Sequence, residues 1–420
     1  MSWTPTLRQF ISDHLLEDTA RLLLSAHRYP EVDVPFAVEQ IEARRRLRTK
    51  LPEWYANSDL IMGGRIPAEQ CSSEHTARFK RSVMLSDARS LCDMTGGMGV
   101  DFWYMSRGLD LAIYTERQHH LCEAARHNFA ALASAQSESL SPSCSSSPQI
   151  SSAVSSHPSI IIREGLSTEL PVPDVDVIYL DPARRSTDGS RIYEISDCEP
   201  DVVTWQQELL RHCRQLIVKV SPMADISRTL LRLVHVTDLY VVSVRHECKE
   251  LLVVQRSVSE ESSVLIHCVD FLTDRTINFS CRSGERTAVP LADEVGLYFY
   301  EPDVSLMKAQ CFSALVARFE GLRMFDTDCH YFTSDTLLAD FPGRVFQVDE
   351  RLDCSSHGLK RLRAKLPQAN IATRCFPLTA DQLRVRTGIR DGGEVYLFGA
   401  RLHAIGAVLL RCHKVNLQEP

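Results

Sequence analysis

Cysteine pairs of the CxxC type are missing from this sequence, although it contains 14 cysteines. The cysteines are also not clustered at the spacings that ligate zinc or an iron–sulfur cluster. This excludes a cysteine-based metal centre of that kind, and the sequence predicts no metal. We interpret the cysteines as reduced thiols, most of them buried.

The sequence also lacks an excess of positive charge. It contains 47 Lys and Arg residues and 54 Asp and Glu residues, which gives a net charge of −7. No long-range positive field would attract nucleic acid, so any such contact must be local. No stretch approaches the roughly 18 uninterrupted apolar residues that span a bilayer, and the N-terminus lacks the pattern of a secretion signal. We therefore expect a cytoplasmic protein that contacts no membrane.

The length of 420 residues, with 44% hydrophobic and 24% charged residues, indicates a globular protein of more than one domain. Residues 1–59 carry apolar residues at helical spacing and predict a helical N-terminal region. Residues 60–258 alternate short apolar runs with helical segments, which is the pattern of βαβ units and a parallel sheet. The predicted strands are Ser90–Asp93, Leu111–Glu116, Ser159–Glu164, Val175–Asp181 and Gln215–Val220.

Two regions depart from this alternation. Residues 134–159 contain 13 serines and predict a flexible surface insert, since they offer little apolar area to offset the entropy of ordering. After residue 258 the helical crossovers stop, and the alternating segments Ser263–Phe271 and Thr276–Ser280 indicate antiparallel strands. Residues 324–420 form a final stretch of mixed α+β character.

A glycine-rich turn follows the first predicted strand and reads Asp-Met-Thr-Gly-Gly-Met-Gly-Val-Asp from Asp93 to Asp101. The helical segment Phe102–Arg107 comes next. Glycines permit positive φ and let the backbone approach a ligand at the carboxyl end of a strand. The turn indicates a nucleotide-like ligand. The alternative is a purely structural turn, since some of these use glycine in the same way.

An acid, Glu116, ends the second predicted strand about 20 residues after the turn, where a carboxylate can accept hydrogen bonds from both hydroxyls of a ribose. The alternative is an ordinary helix-capping acid. The sequence Gly96-Gly97-Met98-Gly99 stands in place of a GxGxxG run. This favours a ligand with one ribose and no pyrophosphate over a dinucleotide.

The fourth predicted strand ends in Asp181-Pro182, followed by Ala183 and Arg184. Proline stiffens this turn and aims its carbonyls and the carboxylate into the crevice where open α/β sheets bind ligands. A reacting group would lie here. The alternative is a proline-stiffened loop with a solvated acid.

These three segments resemble motifs I, II and IV of class I S-adenosylmethionine-dependent methyltransferases, and the segment from Glu69 to Lys80 resembles the motif X helix. The whole chain is similar to a bacterial family that joins this α/β, Rossmann-like domain to ferredoxin-like and THUMP-like α+β domains. The resemblance implies a methyltransferase domain at 60–258, a ferredoxin-like domain at 259–323 and a THUMP-like domain at 324–420. The C-terminal strings that carry it begin at Tyr300, Asp340 and Asp391.

The resemblance also implies roles for individual residues, with S-adenosylmethionine as the methyl donor. Glu116 would bind the ribose hydroxyls, Glu164 would face the adenine amine, and Asp181 with the Pro182 carbonyl would orient the acceptor. Gln70, Ser72 and Ser73 would hold the methionine carboxylate, although the same residues fit a helix N-cap. The motif I residues in the donor site would be Asp93, Thr95, Gly96, Gly97, Gly99 and Asp101.

The loop after motif IV departs from relatives that methylate amino groups of bases. Those relatives carry a second proline and an aromatic residue that stacks on the flipped base. Ala183 and Arg184 occupy these positions here, so neither position offers an aromatic face for stacking. Arg184 and Arg185 suit a substrate phosphate or a surface ion pair equally. Cytosine C5 methylation is disfavoured because the nearest cysteine, Cys198, lies 17 residues from the motif IV aspartate.

Three functions stay open. Methylation of an rRNA or tRNA base is favoured by the THUMP-like resemblance and by the basic segments Lys360–Lys365 and Arg384–Arg390, which also fit solvated helix faces. The acidic charge does not oppose methylation of a protein or a small molecule. The third function is binding of S-adenosylmethionine without catalysis. It is favoured by the missing aromatic residue of motif IV. A dehydrogenase is disfavoured, since no second nucleotide-binding half is visible.

Overall fold

The structure is a computed structural model that describes residues 3–139, 158–184, 194–257, 263–285 and 287–415. Most of the predicted serine-rich insert and Arg185 lie outside the described residues. The chain divides into two compact units. Unit 1 comprises Met1–Thr237 and Leu252–Glu260, and unit 2 comprises Asp238–Leu251 and Glu261–Pro420.

The N-terminal region of unit 1 is helical, as its apolar spacing predicts. Its helices are α1 (Pro5–Asp13), α2 (Thr19–Leu24), α3 (Val34–Leu47) and α4 (Pro52–Ala56). The side chains of Thr4, Asp18 and Asp33 cap α1, α2 and α3 by accepting backbone N–H groups of the first turn. Buried apolar residues from these helices form one core: Leu7, Phe10, Ile11, Leu22, Val34, Ala37, Val38 and Ile41.

The rest of unit 1 contains a parallel sheet with flanking helices. The strands are β1 (Ser90–Asp93), β2 (Leu111–Glu116), β3 (Ser159–Glu164), β4 (Val175–Leu180), β5 (Ala183–Arg184), β6 (Cys198–Glu199) and β7 (Cys213–Val220). The helices are α5 (Arg65–Gln70), α6 (Glu74–Val83), α7 (Val100–Met105), α8 (His119–Ser139), α9 (Val202–Arg211) and α10 (Ile226–Arg232). The five predicted strands are all present, and they pair in parallel in the order β7-β4-β1-β2-β3.

The order of these strands determines where a ligand can bind. From β1 the chain continues to β2 and β3 on one side, and then returns to form β4 and β7 on the other. The connections therefore diverge at β1 and β4, where Asp93 lies opposite Tyr179 in the ladder. In open α/β sheets a crevice forms at the carboxyl ends of the strands at such a switch point.

Unit 2 begins with strands that the sequence only partly predicts. They are β8 (Val236–Val244), β9 (Glu247–Arg256), β10 (Leu265–Phe271) and β11 (Thr276–Arg282), and the boundary between the units falls within β8 and β9. The pairing of β10 with β11 is antiparallel, as predicted, whereas β10 pairs with β8 in parallel. Strands β8 and β9 are not predicted by the sequence pattern.

The rest of unit 2 contains a seven-stranded sheet. Its strands are β12 (Tyr298–Pro302), β13 (Arg323–Met324), β14 (Phe332–Ser334), β15 (Gly343–Leu352), β16 (Asn370–Thr373), β17 (Val395–Leu402) and β18 (Gly406–Lys414). They pair in the order β13-β14-β12-β15-β18-β17-β16. The helices are α11 (Val304–Ala309), α12 (Phe312–Arg318), α13 (Ser356–Lys365) and α14 (Ala380–Thr387). Across the described ranges, no helix combines the length and the apolar character that a membrane span requires.

Candidate functional site

A cavity of about 600 Å³ lies at the carboxyl ends of β1, β2 and β4 in unit 1. Its wall includes the glycine-rich turn after β1, Thr115 and Glu116 at the end of β2, residues 165–168 after β3, and Asp181 after β4. Small-molecule and cofactor sites occupy about 300–1,000 Å³, so the cavity has the size of a nucleoside-like ligand site. Its position agrees with the switch point of the sheet.

Two features explain why the turn contains glycines: one lies very close to a neighbouring side chain, and two have positive φ angles. A Cβ on Gly96 would lie 2.2 Å from the ring of Tyr114, so a larger residue would displace that ring. Gly97 and Gly99 have φ values of 54° and 80°, which glycine adopts at the lowest cost. Gly97 lines the cavity, and a Cβ there would meet no atom closer than 3.8 Å. The bare backbone therefore leaves room for a ligand at this point.

Glu116 is held against the turn by two backbone hydrogen bonds. Its Oε2 accepts the N–H of Gly97 at 2.9 Å and its Oε1 accepts the N–H of Gln118 at 2.9 Å. The residue is only 8% exposed but lines the cavity. Each carboxylate oxygen can accept a further hydrogen bond, so the fixed carboxylate can receive two hydroxyls from a ligand.

Asp93 is buried at the end of β1 and accepts the N–H of Thr95 at 2.9 Å. Burial, together with the charges of Asp101, Asp181 and Glu116, raises the pKa of Asp93 to about 8. Several carboxylates thus surround one end of the cavity. A ligand that carries positive charge at that end would relieve their mutual repulsion.

A buried polar network fixes the floor of the cavity. Lys80 is fully buried, and its Nζ lies 3.1 Å from Asp101 Oδ1 and donates to Ser72 Oγ at 3.0 Å. Asp101 Oδ2 accepts the hydroxyls of Ser72 and Tyr179, each at 2.8 Å. Burial alone would raise the pKa of Asp101, but the charges of Lys80 and Lys219 and the two hydroxyl donors lower it. Asp101 is therefore held as a carboxylate.

Asp181 stands at the rim of the cavity. Its backbone N–H donates to Thr95 Oγ1 at 2.7 Å, which joins the loop after β4 to the turn after β1. Its half-exposed carboxylate forms an ion pair with Lys219. The short antiparallel pair of β5 and β6 holds the loop that follows, with Ala183 opposite Glu199. A polar group entering the cavity can therefore meet a carboxylate whose backbone is fixed.

The cavity wall brings together most of the residues predicted from the sequence. These are Gln70, Ser72, Asp93, Thr95, Gly96, Gly97, Gly99, Asp101, Glu116 and Asp181. Ser73, Glu164 and Pro182 are not among the lining residues. Ser73 instead caps α6 by accepting the N–H of Thr76, and the Glu164 carboxylate contacts His119 Nδ1 at 3.0 Å. Arg184 contributes its backbone to β5, and its side chain lies outside the described part of the structure.

Sequence reasoning missed two parts of the site. Residues 165–168 line the cavity next to the end of β3, where the sequence pointed only to Glu164. The sequence pattern identifies Tyr179 only as an apolar strand residue, although its hydroxyl binds Asp101. A tyrosine inside an otherwise aliphatic strand is a usable signal, because a buried phenol needs a hydrogen-bond partner.

Two family models match the C-terminal part of the chain. A ferredoxin-like domain matches residues 298–342, and a THUMP domain-like model matches residues 343–414. Within unit 2, β12 from the first segment pairs with β15 from the second. The domain boundaries at 258/259 and 323/324 stay predictions. No curated protein matches the chain in sequence.

Among solved structures, a candidate methyltransferase from Porphyromonas gingivalis W83 is similar over 98% of this chain and 98% of its own, with 32% identity and a TM-score of 0.84. A methyltransferase subunit of a type I restriction-modification system from Streptococcus thermophilus matches 50% of this chain and 47% of its own, at 10% identity and a TM-score of 0.30. The Pyrococcus abyssi tRNA (uracil-54, C5)-methyltransferase matches 47% and 40%, at 12% identity and a TM-score of 0.27.

Proposed function

Since the chain belongs to the class I methyltransferase family that carries ferredoxin-like and THUMP-like domains, we propose that it transfers a methyl group from S-adenosylmethionine to a base of an RNA such as rRNA or tRNA. The observation that carries the proposal is the cavity at the switch point of the sheet, with the fixed carboxylate of Glu116 and the buried carboxyl of Asp93 on its wall. These groups match a donor with one ribose and a cationic methionine end.

The residues present fit this donor. Glu116 offers two oxygens to a pair of ribose hydroxyls, and the bare backbone at Gly97 leaves space beside them. Asp101 and, once ionised, Asp93 would face the cationic groups of the donor. The bound donor supplies a methyl group on a positively charged sulfur, which is a reactive electrophile. The chain then has to orient the acceptor and exclude water.

We assign the orientation of the acceptor to Asp181, which lies at the rim of the cavity. An amino group of a base would donate a hydrogen bond to its carboxylate, which directs the nitrogen lone pair toward the methyl carbon. Lys219 pairs with the same carboxylate and limits its rotation. Thr95 couples the position of Asp181 to the glycine-rich turn. Donor and acceptor sites are thereby linked through one hydrogen bond.

The choice of RNA as acceptor rests on the THUMP-like segment and on its charge. Helices α13 and α14 share one apolar core through Leu359, Leu362 and Leu383. Their basic side chains are largely exposed, and cations on neighbouring helices suit a phosphate backbone. The exposed residues are Lys360, Arg361, Arg363, Lys365 and Arg386.

Methyl transfer from labelled S-adenosylmethionine to total bacterial RNA tests this function. We expect labelled RNA that disappears when the acceptor pool is treated with RNase before the reaction. A Lys360→Glu/Arg361→Glu variant should lose RNA binding while it retains donor binding. Label that survives RNase would indicate a protein or small-molecule acceptor, and donor binding without turnover on any fraction would indicate a noncatalytic protein.

A Glu116→Ala substitution is expected to weaken donor binding by about 100-fold, because charge-assisted hydrogen bonds contribute about 1.5–3 kcal/mol each. Calorimetric titration of both proteins with S-adenosylmethionine measures the change. Glu123→Ala removes an acid from α8 outside the cavity wall and should bind like the unmodified protein. Equal affinity of the Glu116 and Glu123 variants would remove Glu116 from the donor site.

Donor affinity is expected to increase with pH up to about pH 8 and then to level off. Asp93 has its pKa raised to about 8, so it is largely protonated below this pH, and a cationic ligand binds its ionised form better. Proton competition at that pKa predicts a gain on the order of 50-fold between pH 6 and pH 8. Dissociation constants over this range, compared with Asp93→Asn, measure it. The same pH dependence in the variant would assign it to another group.

A further inference from the structure

A second cluster of ionisable side chains lies in unit 2, and none of its members lines the cavity described above. His246 belongs to the two-residue turn between β8 and β9, Asp270 lies in β10, and Asp303 is the N-cap of α11. His246 Nδ1 lies 3.2 Å from Asp303 Oδ2 and 3.3 Å from Asp270 Oδ2. Within the described residues, it is the one group of at least three His, Cys, Asp or Glu whose donor atoms all lie within 4.8 Å of one another.

The two carboxylates of the cluster are buried and oriented by other groups. Asp270 is 0% exposed and Asp303 is 2% exposed. Asp303 Oδ1 accepts the backbone N–H and the hydroxyl of Ser305 at 2.9 and 2.6 Å, which turns its Oδ2 toward His246. Asp270 Oδ2 accepts the backbone N–H of His246 at 2.9 Å. Such supporting hydrogen bonds are typical around metal ligands, because they fix the direction of the ligand atom.

One oxygen of the cluster has no donor. Asp270 Oδ1 is buried and accepts no hydrogen bond from the described residues. A buried carboxylate oxygen without a donor is destabilising, and most such atoms in native proteins have a partner that is protein, water or an ion. Two neighbouring buried carboxylates need a shared proton or a cation beside them, and the cation can be an imidazolium or a metal ion.

The distances from His246 to the two carboxylates fit a metal ion. Hydrogen bonds from an imidazolium to a carboxylate are normally about 2.7–2.9 Å long, shorter than the 3.2 and 3.3 Å seen here. Ligand atoms placed about 2.0–2.2 Å from one ion, in tetrahedral or octahedral geometry, are separated by about 3–3.5 Å. Both distances from His246 Nδ1 fall in this range.

We propose that His246, Asp270 and Asp303 bind one divalent transition-metal ion in unit 2. One imidazole nitrogen with two carboxylate oxygens suits Mn²⁺, Fe²⁺ or Zn²⁺, whereas Ca²⁺ and Mg²⁺ prefer oxygen ligands alone. The ion joins the β8–β9 turn to β10 and to the start of α11. The His246 side chain is 42% exposed, so solvent can reach the remaining coordination positions.

Titration of the metal-stripped full chain with Mn²⁺, with free Mn²⁺ followed by paramagnetic resonance, tests the site. Mn²⁺ is chosen because it prefers oxygen and imidazole ligands to the thiolates of the many cysteines. We expect one bound ion per chain, and binding about 100-fold weaker in His246→Asn and Asp270→Asn. Asparagine tolerates the positive φ of 62° at position 246, so the turn is preserved.

His267→Ala provides a matched control, because His267 also lies in unit 2 and contacts a single carboxylate, Asp238. It should bind Mn²⁺ like the unmodified chain. A Mn²⁺-dependent rise in the thermal unfolding temperature should be present in the control and absent in His246→Asn. No bound Mn²⁺ or Zn²⁺ in the unmodified chain, or equal Mn²⁺ binding in His246→Asn, would overturn the proposal and favour a shared proton.

Discussion

Replacing Asp181 by alanine is expected to lower the rate of methyl transfer by about 10²–10³-fold, the usual effect of removing one preorganised polar group from an active site. Donor affinity should change little, because Asp181 lies at the rim and contacts the turn after β1 through its backbone N–H, which alanine retains. Single-turnover rates with RNA and calorimetric donor titrations separate the two quantities. The predicted combination is slow transfer with near-normal donor binding.

Two variants sharpen this prediction. Asp181→Asn keeps an oxygen that can accept a hydrogen bond from an acceptor amine, so it should retain more activity than alanine. Asp174→Ala removes an acid with an 89% exposed side chain just before the opposite end of β4 and should be fully active. Full activity of Asp181→Ala would remove this residue from the acceptor site, whereas joint loss of transfer and donor binding would place it in the donor site.

Replacing Lys80 by methionine is expected to lower the free energy of unfolding of unit 1 by about 3–5 kcal/mol, because it leaves a buried carboxylate without its counterion. Lys80 is fully buried and lies 3.1 Å from Asp101. All four tryptophans, at positions 3, 54, 103 and 205, belong to unit 1. Urea unfolding followed by tryptophan fluorescence therefore reports on this unit alone.

A double-mutant cycle tests the cause of this loss. In an Asp101→Asn background, Lys80→Met leaves no buried carboxylate without its counterion. The substitution should therefore lower the free energy of unfolding much less. Lys50→Met serves as a control, since Lys50 Nζ binds backbone carbonyls at the surface, including that of Glu69. A loss as large in the Asp101→Asn background as in the unmodified protein would show that packing, and not the ion pair, explains the effect.

Local sequence pattern is sufficient to predict the parallel sheet of unit 1. Strands such as β1 and β4 are short buried apolar runs, and each ends in a glycine-rich or proline-containing turn. Because parallel strands end at one edge of the sheet, the sequence alone predicts that Asp93, Glu116 and Asp181 lie close together. The cavity wall contains all three.

Features that depend on tertiary contacts could not be predicted in this way. Glu164 ends β3 as expected, yet its carboxylate contacts His119 on the adjoining helix, a choice set by packing. The sequence pattern does not show β8 and β9 as two strands. Their apolar runs are joined by a turn of Arg245 and His246, which contains no glycine to mark the break. Cysteine spacing indicates no metal site, whereas His246, Asp270 and Asp303 are far apart in sequence and are brought together only by folding.

Calorimetric titration of the purified chain with S-adenosylmethionine, with NAD as the competing nucleotide, shows whether the cavity binds the methyl donor. We expect micromolar binding of S-adenosylmethionine at one site and no binding of NAD, because the cavity offers carboxylates to a cationic ligand with a single ribose. Binding of NAD, or no heat of binding with S-adenosylmethionine, would contradict the assignment of this cavity as a methyl-donor site.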